Sequence, residues 1–248
     1  MGTAAAFLVA AAQSSMAAVS LTFTGIGFGG SPFSVTYPTD YVGGSSTRGG
    51  LFLGEIIMTP AGEPSLRTYC VSPAGTVGSG AYDLLTFEAA KFGNNPPAWA
   101  VSGGIENASY LFHNFAASVA DNDHGAAMQL AILELIYDST GLGTVTGGGL
   151  TAGRFQATGV SAAVNTEVND YINQVLVAGS GIIDPYYADH PGYILRPQAA
   201  GGQDLITFMV PLEAVPEAGT IVAGIVLLLP GGIMFLRRFG RRGKTGAA

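Results

Sequence analysis

The sequence predicts an α+β domain: a β-sandwich-like sheet with an inserted lobe of about three helices, flanked by a signal peptide and one C-terminal transmembrane helix. Three observations predict it. Runs rich in β-branched and aromatic residues sit at both ends of the central region. Apolar residues at helical spacing are confined to its middle. Two uncharged apolar stretches, one short and one long, stand at the termini. The boundaries that follow are 1–18 for the signal, 19–212 for the central domain and 213–248 for the tail.

The strand-like runs are Leu21–Phe23, Phe33–Tyr37, Leu51–Met58 and Leu66–Val71, divided by Gly, Pro and Ser clusters such as Gly43-Gly44-Ser45-Ser46. Beyond residue 103 the pattern changes. Ile105, Ala108, Leu111, Phe112, Phe115 and Val119 recur at helical spacing. Asp121-Asn122-Asp123 offers an N-cap to a second helix from Gly125 to Asp138. A glycine-rich loop from Gly141 to Gly153 leads to a third helix over 160–177, with Val164, Val168, Tyr171, Ile172 and Val175 on one face. Strands return at Tyr193–Leu195 and Leu205–Val210. Strands from both ends of the domain then share one sheet or sandwich, and no segment repeats.

Composition narrows the function classes. Hydrophobic residues make up 48% of the 248-residue chain, which excludes disorder. Charged residues are 11% and glycines number 37, a balance suited to strands and turns. All 17 acidic residues precede Arg237, whereas five of the ten basic ones lie from Arg237 onward. The acidic central domain has no electrostatic footprint for nucleic acid. A single cysteine allows no internal disulfide, so the domain must build its own core.

The termini read as targeting segments. Ala4 to Ala12 is an apolar run followed by Gln13-Ser14-Ser15 and the small residues Ala17 and Ala18, the h-region and cleavage site of a secretory signal, though without Lys or Arg ahead of it. Ala218 to Leu236 is uncharged and, at about 1.5 Å per residue, matches a hydrocarbon core of about 30 Å. Arg237, Arg238, Arg241 and Arg242 follow at once and hold that end in the cytoplasm. Val215-Pro216-Glu217-Ala218, the apolar helix and the basic tail together resemble the PEP-CTERM sorting signal of Gram-negative envelope proteins. Ala218 stands where members usually carry a second proline. The resemblance implies export through the inner membrane, recognition and cleavage by an exosortase, and a final place at the cell surface or in an exopolysaccharide matrix.

Two residues of the central domain could carry chemistry. Cys70 ends the stretch Arg67-Thr68-Tyr69-Cys70-Val71. Gln129 shares a helix face with Ile132, Leu133 and Ile136. A buried amide without a partner costs about 1–3 kcal/mol, so Gln129 must point at a partner. A thiol and a carboxamide in a dry pocket can close an internal thioester with loss of ammonia. The aromatic-Cys-aliphatic and Gln-x-Ala-Ile-x-x-x-x-Tyr motifs resemble those of the bacterial thioester domains of surface adhesins, which often have Trp where Leu133 stands. That resemblance implies Cys70 as thiol donor, Gln129 as acyl donor, and covalent attachment to an amine on a partner. The alternative is a buried inert cysteine and an amide capping loop backbone, in a noncovalent exopolysaccharide-associated protein.

Other candidates are weaker. His113 and His124 could pair with Cys70 in a cysteine hydrolase, but each reads first as a structural or exposed histidine, as does His190. The Asp121-Asn122-Asp123 run fails the EF-hand pattern, with Gly125 and Ile132 at ligand positions. Asn107-Ala108-Ser109 is a sequon inside a predicted helix, and Tyr186, Tyr187 and Tyr193 could stack on a sugar. No phosphate loop, zinc spacing or nucleophile elbow is present, so the expectation is a non-enzymatic surface protein without cofactor or metal.

Overall fold

The structure is a computed structural model and describes residues 18–30, 32–38, 45–51, 53–86, 103–146, 149–189 and 192–207. All lie in the first of the chain's two units, Met1–Met209. The signal segment, sorting motif, apolar span 218–236 and basic tail fall outside the described residues. Among those described, no helix is long and apolar enough to cross a membrane.

Eleven strands and three α-helices form in the described chain. The strands are β1 Ala18–Gly29, β2 Phe33–Pro38, β3 Ser45–Leu51, β4 Gly54–Pro60, β5 Leu66–Cys70, β6 Gly80–Thr86, β7 Ser139–Gly141, β8 Thr144–Val145, β9 Gln156–Thr158, β10 Tyr193–Pro197 and β11 Leu205–Thr207. The helices are α1 Gly104–Phe115, α2 Asn122–Asp138 and α3 Ala162–Asp189. The α+β class and the three-helix middle stand as the sequence predicts.

The sandwich does not. Six strands close into an antiparallel barrel in the order β1-β4-β5-β11-β10-β6, beside a sheet β3-β2-β9 and the hairpin β7-β8. The sequence pattern passes over β6, which supplies the closure: it pairs with β1 at Val19↔Tyr82 and with β10 at Leu195↔Leu84. Only Tyr82 and Leu84 of β6 are buried, after a glycine-rich turn, so its alternation is too short to show. The expected strand Leu51–Met58 is two strands, broken before Gly54, where an added Cβ would lie 2.4 Å from the Gly29 Cα. The third helix runs on past residue 177 to Asp189, interrupted at Gly179, whose φ of 60° is a left-handed value that favours glycine.

Barrel strands have two apolar faces. Tyr69, Ile194 and Ile206 join the core formed with the helices. By the two-residue alternation, Met58, Cys70, Leu84, Leu195 and Leu205 share the opposite face, toward the barrel interior. Helix α2 packs on β1, β4 and β5 and is flanked by α1 and α3. Every residue from Gly125 to Asp138 is buried, so the helix is a core helix enclosed on all sides, with no solvated face. Its start lies close to β1: an added Cβ at Gly125 would stand 2.3 Å from the Phe28 carbonyl oxygen. Each polar residue on such a helix must find its partner inside the protein.

Candidate functional site

Strand register creates the site. Cys70 lies opposite Leu205, and the Val71 N–H donates to the Asp204 carbonyl at 3.0 Å. That bond is the mark of a non-hydrogen-bonded antiparallel pair, so Cys70's own N–H and C=O point away from β11. On their other side β4 has no pair for Cys70, because the β4–β5 register reaches Ile56↔Thr68 and stops. Gln129 of α2 fills the vacated place. Its Oε1 accepts from the Cys70 N–H and its Nε2 donates to the Cys70 carbonyl, both at 2.8 Å. The carboxamide imitates a strand edge, and Gln129 is wholly buried.

Cys70 and Gln129 are thus in contact through the cysteine's backbone, where the thioester expectation has the sulfur. The thiol faces a different glutamine. Gln203 precedes Leu205 by two residues and is a diagonal cross-strand neighbour of Cys70 on the same face. The thiol hydrogen-bonds the Gln203 Oε1 at 3.0 Å, while the Gln203 Nε2 donates to the Ser72 carbonyl at 2.5 Å. Sequence reasoning passed over Gln203. Its local signal is a glutamine between two glycines and a short apolar strand, and its role depends on a pairing 133 residues away.

The loop after Cys70 is held against the turn before Gln203. Thr76 bridges Gly202, the Thr76 N–H donates to the Gly201 carbonyl, and the Gln203 N–H donates to the Thr76 carbonyl at 3.2 Å. Gly75 allows that approach, since an added Cβ would stand 2.6 Å from the Gly202 carbonyl. The Arg48 guanidinium donates to the Pro73 and Gly75 carbonyls, and the Tyr137 hydroxyl to that of Val71. Both side chains are buried, at 6% exposure for Cys70 and 7% for Gln203. Burial pushes the thiol pKa up to about 12, against a smaller opposing pull from Arg48, so the sulfur is protonated at neutral pH. Beside the pair opens a cleft of about 150 Å³ lined by Thr76, Gly78, Tyr82, Pro197, Gly201 and Gly202.

The other candidates settle into structural roles. His124 pairs with the Asp121 carboxylate at 2.7 Å and faces Glu167 at 3.7 Å. His113 stacks edge-on to Tyr186, and Tyr186 to Tyr110. The Cys70 thiol bonds to Gln203 and to neither imidazole. Asp121 is the N-cap of α2, accepting from the His124 N–H. Asn107 is buried, donating to Ser139 and Gly141 and accepting from the Gly143 N–H, which removes it as a glycosylation acceptor. Tyr193 is a buried barrel residue, and His190 lies outside the described residues. Among the described residues no group of three or more His, Cys, Asp or Glu side chains could hold a metal.

Together, fold and site define an α+β protein with a closed antiparallel barrel and a buried cysteine placed between two glutamines. No family model matches the chain, and no curated protein is similar to it in sequence. Among solved structures, the N-terminal thioester domain of fibronectin-binding protein SfbI from Streptococcus pyogenes is similar at 10% identity, over 73% of this chain and 95% of that chain, with a TM-score of 0.38. A likeness of that size carries no argument, and the site rests on its own geometry.

Proposed function

We propose that Cys70 and Gln203 close an internal thioester, and that the chain is an exported surface or matrix protein that couples through it to an amine on a partner. The acyl donor in this reading is Gln203 in place of Gln129, and Gln129 positions the cysteine. The observation that carries it is the 3.0 Å approach of the Cys70 sulfur to the Gln203 carboxamide inside a closed hydrogen-bond network. The sulfur bonds to the Gln203 Cδ, the Cδ–Nε2 bond breaks, and the nitrogen leaves as ammonia with the thiol proton. A partner amine then bonds to Cδ, the C–S bond breaks, and the amine's proton passes to sulfur. Because burial disfavours the thiolate, sulfur departs as the thiol.

Export and delivery rest on the tail's resemblance to a sorting signal, with an exosortase as the processing partner and the membrane as the first anchor. Intact-mass measurement on the purified chain tests the chemistry. The expected result is a mass lower by one ammonia and a cysteine that iodoacetamide does not label. Methylamine should restore labelling and add to Gln203. Full mass with a reactive thiol would leave the noncovalent matrix-binding reading in its place, and polysaccharide binding that survives Cys70→Ala would then support that reading.

A further inference from the structure

One helix turn and a half beyond Gln129, α2 carries two more buried polar residues, Glu134 and Asp138. They stand four apart on one face and are neighbours. Asp138 is met by the loop above it: its Oδ1 accepts from the Arg154 N–H at 2.6 Å and its Oδ2 from the Phe155 N–H at 3.1 Å. Glu134 has no exposed surface, and neither of its carboxylate oxygens has a hydrogen-bond partner. The Gly149 amide lies nearby without closing a hydrogen bond.

Among the described residues, neither protonation state gives Glu134 its hydrogen-bond partners. Ionised, it is a second negative charge beside Asp138 with no cation facing it, and Arg154, the basic residue nearest Asp138, is exposed. Protonated, its O–H has no acceptor. A water could fill the hydrogen bonds but would not offset like charge. A bound cation does both. The loop above is shaped for close approach: Gly149 and Gly153 have φ of 92° and 97°, and an added Cβ at Gly153 would stand 2.5 Å from the Asp138 Oδ2. Thr151 to Arg154 are exposed while Leu150 anchors the start of the loop in the core, so the carboxylate pair lies one loop below the surface.

We propose that Glu134 and Asp138, roofed by the loop from Gly149 to Gly153, bind one hard divalent cation, calcium. Two carboxylates offer oxygen ligands, Asp138 keeping a free lone pair on each oxygen, and loop carbonyls and waters complete a shell of about six to eight. This site is independent of the Cys70–Gln203 reading.

The test uses the full chain in detergent, stripped with a chelator and titrated with CaCl2. Calorimetry should count one calcium per chain. At about 100-fold excess over Kd, calcium should raise the melting temperature by roughly 5–10 °C. Glu134→Gln, a neutral isostere that keeps the fold, should bind none and show no calcium shift, and Asp138→Asn should weaken binding at least tenfold. Absence of bound calcium in the wild type at millimolar CaCl2, or equal binding by Glu134→Gln, would overturn the proposal.

Discussion

The two halves of helix α2 solve the same problem differently. Gln129, in its first half, is wholly buried, and both functional groups of its amide are matched to Cys70's backbone at 2.8 Å. Glu134, five residues on, is equally buried, and neither oxygen is matched. A satisfied buried polar group is scaffold, because its partners hold it in one place. An unsatisfied carboxylate beside a second carboxylate is a group that a ligand can stabilise. In the proposed reading the first region is a rigid support for the sulfur, and the second a seat for a cation.

The largest expected effect tests the first region. Gln203→Ala should abolish amine coupling entirely and leave a thiol that labels once the chain is unfolded, at a cost of about 1–3 kcal/mol for the Ser72 carbonyl left without its donor. Gln129→Leu should act the other way. It leaves the Cys70 N–H and C=O unpaired in the core, at about 1–3 kcal/mol each, so the urea midpoint should fall by the equivalent of about 2–6 kcal/mol. If Gln129→Leu abolished coupling at unchanged stability while Gln203→Ala spared it, the assignment of the two glutamines would be reversed.

The second region responds to pH. Burial first, and Asp138 second, push the Glu134 pKa up to about 8. A group with a raised folded pKa stabilises fully below its unfolded value near 4.5, and that contribution is lost as pH rises through about 8. In chelator, the wild type should therefore lose stability from about pH 5 to pH 8, by an amount on the order of a few kcal/mol shared with Asp138. Glu134→Gln should flatten that decline in chemical denaturation. Parallel pH curves for the two proteins would mean that Glu134 is not the group being titrated.

The contrast also marks how far the sequence was legible. Helical spacing located the three α-helices of the described residues, because the apolar period is a local property of each segment. It also brought Gln129 to Cys70, since a polar residue in an apolar helix must aim at a partner. Gln203 was not legible, because its role comes from the β5–β11 register, and register is a property of two strands that no local pattern contains. Barrel closure was hidden for the same reason: β6 looks like a loop until β1 and β10 pair with it. Glu134 was passed over because its unpaired state requires knowing that α2 has no solvated face.

A smaller effect, about 1–3 kcal/mol, is expected from Gly125→Ala, because the new methyl would meet the Phe28 backbone and push α2 off β1. Thermal denaturation reads it directly, and an unchanged melting temperature would show that α2 can shift on the barrel without cost.

The smallest effect separates silent polar groups from functional ones. The Tyr69 ring is fully buried, edge-on to Phe112 at 5.3 Å, and its hydroxyl has no hydrogen-bond partner. It resembles Glu134 in being unmatched, and Glu55, Arg67 and Tyr171 lie within electrostatic reach of it, but it is a neutral group. Removing a hydroxyl that makes no bond loses no interaction and relieves its desolvation. Tyr69→Phe should therefore be neutral or stabilising by up to about 1 kcal/mol, with calcium binding and amine coupling unchanged. A clear destabilisation in urea would mean that the hydroxyl has a partner in solution. The criterion that distinguishes Glu134, an unmatched group beside a second carboxylate and under a close loop, would then have to rest on the carboxylate pair alone.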